Sequence, residues 1–227
     1  MNGRTLVADI RRELRRAADP SLAPAMQTYM KSTMPFLGVR VPQVRQLVRA
    51  AVSVAPPTDL AADVLAPATA LWRESTYREE RYAAAALLDT PGARRLLDPA
   101  ALPLVEEMIA TGAWWDHVDE AAHRVGQLLL SHPGVVRPVV QSWTVHPDRW
   151  LRRVSVIGQL GAKTRTDLEL LTEAIEANLA DTDFFLRKAI GWALRDYART
   201  DADWVRAFVA DRPGLSPLSR REAVKHL

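Results

Sequence analysis

The sequence predicts an all-α protein in which antiparallel helix pairs stack against one another. Apolar residues recur at the three- and four-residue spacing of amphipathic helices along nearly the whole chain. The strict alternation that marks a half-buried strand is almost absent. In addition, Trp115, Trp150 and Phe185 follow one another at intervals of 35 residues, which indicates an internal repeat.

Turn-forming residues divide this helical pattern into segments. Breakers fall between the segments at Pro56-Pro57, Pro91-Gly92, Pro133-Gly134, Pro147-Asp148 and Pro213-Gly214. Capping residues mark two starts, because Asp181 or Asp183 precedes Phe184 and Ser216 precedes Pro217. The predicted helices span residues 5–17, 21–31, 42–55, 60–72, 76–89, 100–110, 115–130, 135–143, 150–160, 166–178, 184–197, 201–210 and 217–225.

Each repeat unit holds two predicted helices, the first opened by an aromatic residue and the second shorter. Such pairs cannot each bury a face alone, so they are expected to stack into an α-solenoid with a concave inner surface. The period is close to that of tetratricopeptide repeats, but their residue pattern is absent, and a degenerate HEAT-like solenoid fits best. No shift in composition marks a boundary, so residues 1–227 are predicted to form a single HEAT-like repeat domain.

Composition narrows the class of protein. Apolar residues make up 48% and charged residues 25% of the chain, which is the balance of a folded domain. The net charge of +3 is too small to imply a nucleic-acid partner by itself. All but four of the 30 basic residues are arginine, whose fork of donors suits phosphate, although genome composition explains the same bias.

Several classes are excluded by what the sequence lacks. The chain has no cysteine, which rules out disulfides, thiolate metal sites and cysteine nucleophiles. Residues 1–20 lack the apolar core of a secretory signal, and the longest apolar run, residues 82–88, is too short to cross a bilayer. We therefore expect a cytoplasmic protein with no membrane partner.

Trp115 and Asp119 are the first candidate site residues. They are four residues apart and lie side by side on one face of the predicted helix. An aromatic plane beside a carboxylate can hold the apolar face of a sugar and stabilise positive charge that develops on it. The alternative is a tryptophan in a helix–helix interface beside a solvated aspartate. Trp114 is turned about 100° away by the helical period and is given this structural role.

A basic stripe is the second candidate feature. Arg152 and Arg153 in one repeat correspond to Arg187 and Lys188 in the next. Basic side chains at equal intervals along a concave wall suit a regularly spaced anion such as a nucleic-acid backbone. The alternative is that these side chains only cover the ends of their helices.

Blocks of sequence along nearly the whole chain are similar to one known family. They are Tyr29-Met30-Lys31, Pro35-Phe36-Leu37-Gly38-Val39, Trp114-Trp115-Asp116-His117-Val118-Asp119, Trp150-Leu151-Arg152-Arg153 and residues 184–198 and 215–226. In these blocks the chain resembles the bacterial DNA alkylation repair enzymes of the AlkD type, which are built from HEAT-like repeats. The Pro35-Phe36-Leu37-Gly38 stretch, which lies between the second and third predicted helices, is predicted to be a loop.

The resemblance implies a monofunctional DNA glycosylase. Such enzymes hydrolyse the N-glycosidic bond of cationic N3- and N7-alkylated purines, such as 3-methyladenine and 7-methylguanine, in duplex DNA without a base-flipping pocket. It also implies that Asp119, Trp115 and Trp192 are catalytic, that Arg153 is the cleft arginine, and that Tyr29 is an aromatic at the DNA groove. With Arg152, Arg187 and Lys188 from the basic stripe, Arg153 and Tyr29 form the predicted DNA-binding set.

No cofactor is expected, and the predicted partner of the monomer is double-stranded DNA. Asp119 and His123 with the nearby His117 suggest a metal site, but no second cluster completes it, and no metal is expected. No lysine lies beside Asp119 in the sequence, so lyase chemistry through a Schiff base is not expected. Two other functions remain open: a non-catalytic HEAT-like protein that binds distorted or branched DNA, and a protein–protein scaffold.

Overall fold

The described part of the chain is built from helices. The computed structural model describes residues 3–54 and 56–227, and no β-strand occurs within these ranges. The all-α prediction is confirmed for these residues. None of their helices combines the length and the apolar character needed to cross a membrane. The α-helices are α1 (Gly3–Arg16), α2 (Ala23–Met30), α3 (Val41–Ser53), α4 (Ala66–Arg73), α5 (Arg78–Leu88), α6 (Pro91–Leu96), α7 (Leu102–Gly112), α8 (Trp115–Ser131), α9 (Pro133–Trp143), α10 (Arg149–Ile157), α11 (Leu168–Glu176), α12 (Phe184–Tyr197), α13 (Ala202–Ala210) and α14 (Pro217–Ala223).

Two helices begin at prolines that the sequence predicts to be breakers. α6 starts at Pro91 and α9 at Pro133, and each proline occupies the first turn of its helix. Proline is tolerated there because the first N–H groups of a helix have no intrahelical carbonyl to bind. Thr90 caps α6, since its side-chain oxygen accepts from the N–H of Ala93. The helical pattern is interrupted before Pro91, as predicted, but the segment that follows forms a helix that the prediction lacks.

The third and fourth predicted helices also differ in detail from the structure. α3 ends at Ser53, and the predicted end at Ala55 lies outside the described residues. The segment predicted as one helix over residues 60–72 is a π-helical turn, Leu60–Leu65, followed by α4. Pro67 in the first turn of α4 has no N–H to donate, so it interrupts the regular hydrogen-bond ladder at this junction.

The chain divides into two compact units, Met1–Leu104 and Val105–Leu227, and passes from one to the other within α7. In the first unit α5 is central, because it packs against α1, α3, α4 and α6. In the second unit α10 contacts α8 and α12, and α12 contacts α14, which gives one row of neighbouring helices. α9 and α11 contact each other and pack against α10.

A buried carboxylate holds the predicted loop of the first unit. Glu79 on α5 is fully buried, and its side-chain oxygens accept from the backbone N–H groups of Leu37, Gly38 and Val39 at 2.9, 2.9 and 3.1 Å. Gly38 has a φ of +87°, and a Cβ there would lie 2.0 Å from the carbonyl oxygen of Asp19. The loop prediction is confirmed, and its shape depends on both of these features.

The repeat in the second unit is visible in matching contacts. Arg152 donates to the carbonyl oxygen of His146 at 2.6 Å, and Arg187 donates to that of Asp181 at 3.0 Å, one period further on. Each arginine thus ties the start of its helix to the loop before it. The N-cap residues of α10 and α12, Asp148 and Asp183, also occupy matching positions in the repeat. The side chain of each accepts hydrogen bonds from the backbone N–H groups two and three residues further along the chain.

Glycines allow the closest approaches between neighbouring helices of this row. A Cβ at Gly126 of α8 would lie 2.3 Å from the carbonyl oxygen of Gly158, the residue that follows α10. A Cβ at Gly191 of α12 would lie 2.4 Å from the Cβ of Glu222 on α14. Neither position has room for a side chain, so each glycine sets the distance between two helices that carry site residues.

We expect the Gly126→Ala variant to lower the free energy of unfolding by about 2 kcal/mol, because its methyl group forces two backbones apart. The matched control is Gly134→Ala in α9, where a Cβ meets nothing within 4 Å. This control should gain roughly 0.5 kcal/mol, since alanine restricts the unfolded chain and favours helix. Urea unfolding followed by circular dichroism measures both, and equal stabilities would contradict the close approach of α8 and α10.

Candidate active site

A cleft of about 290 Å³ lies in the second unit, where α8, α10, α12 and α14 are neighbours. It brings together Trp115, Asp119, Arg153 and Trp192, which the sequence places in three different helices. Lys188 of the predicted DNA-binding set also lines it. The remaining lining residues are Phe184, Phe185, Arg195 and Glu222.

The start of α8 separates its two tryptophans. Trp114 has an extended backbone and precedes the helix, while Trp115 is its first residue and faces the cleft with Asp119. The Trp114 ring instead packs against Trp150 and Phe185, with ring centroids 6.4 and 5.5 Å apart. The structural role predicted for Trp114 is confirmed, and this aromatic cluster joins the starts of α8, α10 and α12.

Asp119 and Arg153 form a bidentate ion pair. Arg153 Nε donates to Asp119 Oδ1 at 2.7 Å, and Arg153 Nη2 donates to Asp119 Oδ2 at 2.9 Å. A third bond runs from Arg153 Nη1 to the carbonyl oxygen of Phe185 at 2.5 Å. The Arg153 side chain is only 5% exposed, whereas that of Asp119 is 19% exposed. The guanidinium therefore faces the protein and fixes the carboxylate at the edge of the cleft.

A second ion-pair system occupies the other side of the cleft. Glu222 accepts from Lys188 Nζ at 2.9 Å and from Arg195 Nη1 at 2.5 Å. The hydrogen bond and charge of Lys188, reinforced by Arg195, hold the pKa of the Glu222 carboxyl below its usual value. Glu222 is thus an anion between two cations of α12, and its carboxyl is ionised at neutral pH.

The other predicted DNA-binding residues lie outside this cleft. Arg152 donates to the carbonyl oxygens of His146 and Pro147 and forms an ion pair with Asp181 at 3.0 Å. Arg187 binds the loop before α12 in the matching way. Phosphate binding by these two arginines stays a prediction, because the structure gives each of them an intramolecular partner.

Tyr29 belongs to the first unit, near the end of α2. It is one of the exposed large side chains of the described residues, with 72% of its surface accessible. This exposure fits a side chain that contacts a ligand, and its predicted role at a DNA groove stays a prediction.

Arg195 and Glu222 are cleft residues that sequence reasoning missed. Arg195 was detectable, because Lys188, Trp192 and Arg195 lie four and three residues apart and therefore share a face of α12. Glu222 gave no such signal, since only folding brings α14 to α12. Lys188 is far from Asp119 in the sequence, but it lines the same cleft in the structure. Its ammonium group donates a hydrogen bond to Glu222.

Neither a cluster of metal-ligating side chains nor another cavity offers a better candidate site in the described residues. Within residues 3–54 and 56–227, no three His, Asp or Glu side chains are grouped as a metal ion requires. A larger cavity of about 1090 Å³ lies in the first unit along α1 and α4, with Arg4, Arg11, Arg12 and Arg15 among its lining residues. None of the described residues that line it is aromatic, so it lacks the combination found beside Asp119.

The fold and the cleft define a class: helical proteins with a cleft that is lined by aromatic rings and by a carboxylate bound to an arginine. Comparison with protein families makes this assignment specific. The model of the family described as DNA alkylation repair enzyme matches residues 10–227. The chain therefore belongs to the DNA alkylation repair enzyme family, and the resemblance seen in its sequence blocks is confirmed.

A solved structure supports the same relationship. It is described as a predicted DNA alkylation repair enzyme from Enterococcus faecalis and shares 28% sequence identity with this chain. The alignment covers 92% of this chain and 96% of the other, with a TM-score of 0.83. Comparison with curated proteins gave no match.

Proposed function

We propose that this protein is a monofunctional DNA glycosylase that hydrolyses the N-glycosidic bond of cationic N3- and N7-alkylated purines in duplex DNA. The observation that carries the proposal is the Asp119 carboxylate, fixed by Arg153 at 2.7 and 2.9 Å in a cleft that Trp115 and Trp192 also line. A fixed anion beside aromatic faces is suited to a substrate that carries or develops positive charge.

The chemistry of the lesion explains why one carboxylate suffices. A purine alkylated at N3 or N7 already bears a positive charge, so it departs as a neutral base when it takes the electron pair of the bond to C1′. No general acid is needed. Positive charge then gathers on the deoxyribose, and Asp119 stabilises it and orients a water. That water adds to C1′ and gives up a proton to Asp119 or to solvent.

Two tryptophans complete the proposed catalytic site. In this proposal Trp115 and Trp192, which line the cleft, hold the sugar and stabilise its cationic character through their ring faces, an interaction worth roughly 0.5–2 kcal/mol for each ring. Neutral lesions would lose their bases as anions, which neither a carboxylate nor a ring face stabilises. We therefore expect the enzyme to discriminate strongly against neutral lesions.

The cations of the cleft divide into two roles in this proposal. Arg153 acts mainly by positioning Asp119, because its side chain is almost fully buried and donates to Asp119 and Phe185. Lys188 is better placed to meet a phosphate, since its side chain is 39% exposed. Its ion pair with Glu222 also supports hydrolysis without Schiff-base chemistry, because a lysine must lose its proton to act as a nucleophile.

We extend the proposal to the architecture. The matching contacts of Arg152 and Arg187 support a HEAT-like α-solenoid, and we propose that residues 1–227 act as one repeat domain whose concave surface receives the duplex. In this proposal the lesion reacts without being flipped into a base pocket, the protein acts as a monomer, and no cofactor takes part.

The direct test is a base-release assay. The protein is incubated with a duplex that contains 7-methylguanine, and the free base is separated by chromatography and measured against a protein-free control. Release well above the spontaneous rate is expected, while a duplex with a neutral lesion such as uracil should release no base. Binding without release would contradict the glycosylase proposal and would favour a non-catalytic DNA-binding protein.

A further inference from the structure

Glu222 of α14 joins two cations of α12 in the cleft. Lys188 and Arg195 are seven residues apart, which is two helical turns, so both lie on the face of α12 that meets α14. The carboxylate receives Lys188 Nζ on Oε1 and Arg195 Nη1 on Oε2, so one side chain occupies both cations.

The position of Glu222 is fixed by packing as well as by charge. Its Cβ lies against Gly191, where a side chain of any other residue would collide with it at 2.4 Å. The preceding turn of α14 is tied to α12, because Ser219 donates from its hydroxyl to the carbonyl oxygen of Arg187 at 2.9 Å. The Glu222 side chain is only 14% exposed, so this carboxylate is a fixed part of the cleft wall.

The two ion pairs of the cleft differ in accessibility. Arg153, which holds Asp119, is 5% exposed and donates three hydrogen bonds inside the protein. Lys188 and Arg195 are 39% and 22% exposed, so an incoming anion can reach them. A phosphate that approaches these cations therefore meets Glu222 as a competitor already bound to them.

We propose that Glu222 is a specificity-determining residue that weakens the binding of undamaged DNA by competing with phosphate for Lys188 and Arg195. This inference rests on the proposed function, because it assigns DNA to the same cleft. Undamaged DNA brings only negative charge to the cleft and is repelled by Glu222. A cationic lesion brings positive charge that the carboxylates attract, so the cost of meeting Glu222 is smaller for damaged DNA.

Glu222→Gln tests this proposal, since glutamine keeps the shape that packs on Gly191, removes the negative charge and replaces one of the two acceptor oxygens with an NH2 group. Affinity for an undamaged duplex is measured by fluorescence anisotropy over a series of salt concentrations. We expect binding roughly fivefold tighter at low salt. The plot of log K against log salt should steepen by about 0.9, the increment for one added phosphate contact.

Two further variants make the result specific. Glu176→Gln removes a carboxylate that pairs with Arg212 at 2.6 Å outside the cleft, and it should leave both affinity and salt slope unchanged. Adding Lys188→Met to Glu222→Gln should abolish most of the gain, because the more exposed of the two released cations is then absent. Thermal unfolding of each variant confirms that the measured protein is folded.

Unchanged or weaker binding by folded Glu222→Gln would overturn the proposal, because Glu222 would then only position its two cations. The result is independent of base release. A protein that binds undamaged duplex in the expected way but releases no 7-methylguanine contradicts the glycosylase function alone. Release of base with no effect of Glu222→Gln on affinity or salt slope contradicts the role of Glu222 alone.

Discussion

We expect the Asp119→Asn variant to release 7-methylguanine roughly 100-fold more slowly than the unaltered protein while it still binds duplex DNA. The substitution removes the negative charge that opposes the cationic sugar and leaves the cleft shape in place. Preorganised groups that stabilise charge in a transition state commonly contribute about 2.7–4 kcal/mol each, which corresponds to two to three orders of magnitude in rate. Single-turnover release, with enzyme in excess over damaged duplex, measures the chemical step.

The folding of this variant must be checked with the rate. Asparagine keeps one acceptor oxygen for Arg153, but the buried guanidinium loses its charged partner, so some loss of stability is expected. Asp203→Asn is the matched control, because the side chain of Asp203 is 94% exposed on α13 and lies outside the cleft. A folded Asp119→Asn protein with normal release would contradict the catalytic role of this carboxylate.

Loss of Arg153 should produce the largest loss of stability. Arg153→Met removes three donated hydrogen bonds and leaves Asp119 and the carbonyl of Phe185 without this partner. Removing one member of a buried ion pair typically costs roughly 3–5 kcal/mol. We expect about 3 kcal/mol here, since the Asp119 side chain is 19% exposed and water replaces part of the interaction. Urea unfolding measures this change.

A double variant separates the charge from the packing. Combining Arg153→Met with Asp119→Leu removes both charges, and it should be more stable than Arg153→Met alone because no unpaired carboxylate remains. Arg153→Lys keeps the charge but not the fork of donors, so it should release base more slowly through a less well-positioned Asp119. A double variant less stable than Arg153→Met would show that the ion pair is not the main contribution of Arg153.

Much of this fold can be predicted from the sequence, because the 35-residue spacing of its aromatic residues reflects the packing of corresponding helices. Trp115, Trp150 and Phe185 fall at the starts of α8, α10 and α12, which are neighbours in the second unit. The intervals between helices that stack in a repeat are set by the chain length of one pair, so spacing alone predicts which helices correspond. The four residues Trp115, Asp119, Arg153 and Trp192 do share one cleft.

Other features depend on three-dimensional contacts that spacing does not encode. Asp119 and Arg153 are both predicted site residues, but their direct pairing requires the close approach of α8 and α10 at Gly126 and Gly158. Glu222 enters the cleft only because Gly191 leaves room for it. The helix at Pro91 is missed for a different reason, since proline at a helix start and proline in a turn look alike in sequence.

The third hydrogen bond of Arg153 links the parts of the site into a single cooperative element. One guanidinium on α10 reaches the carboxylate of Asp119 on α8 and the backbone of Phe185 on α12. Separation of α8 would strand the buried charge of Arg153, and separation of α12 would remove its third hydrogen bond, so the loss of either neighbour weakens the support of Asp119. The geometry at Asp119 is therefore expected to depend on the packing of all three helices and not on α8 alone.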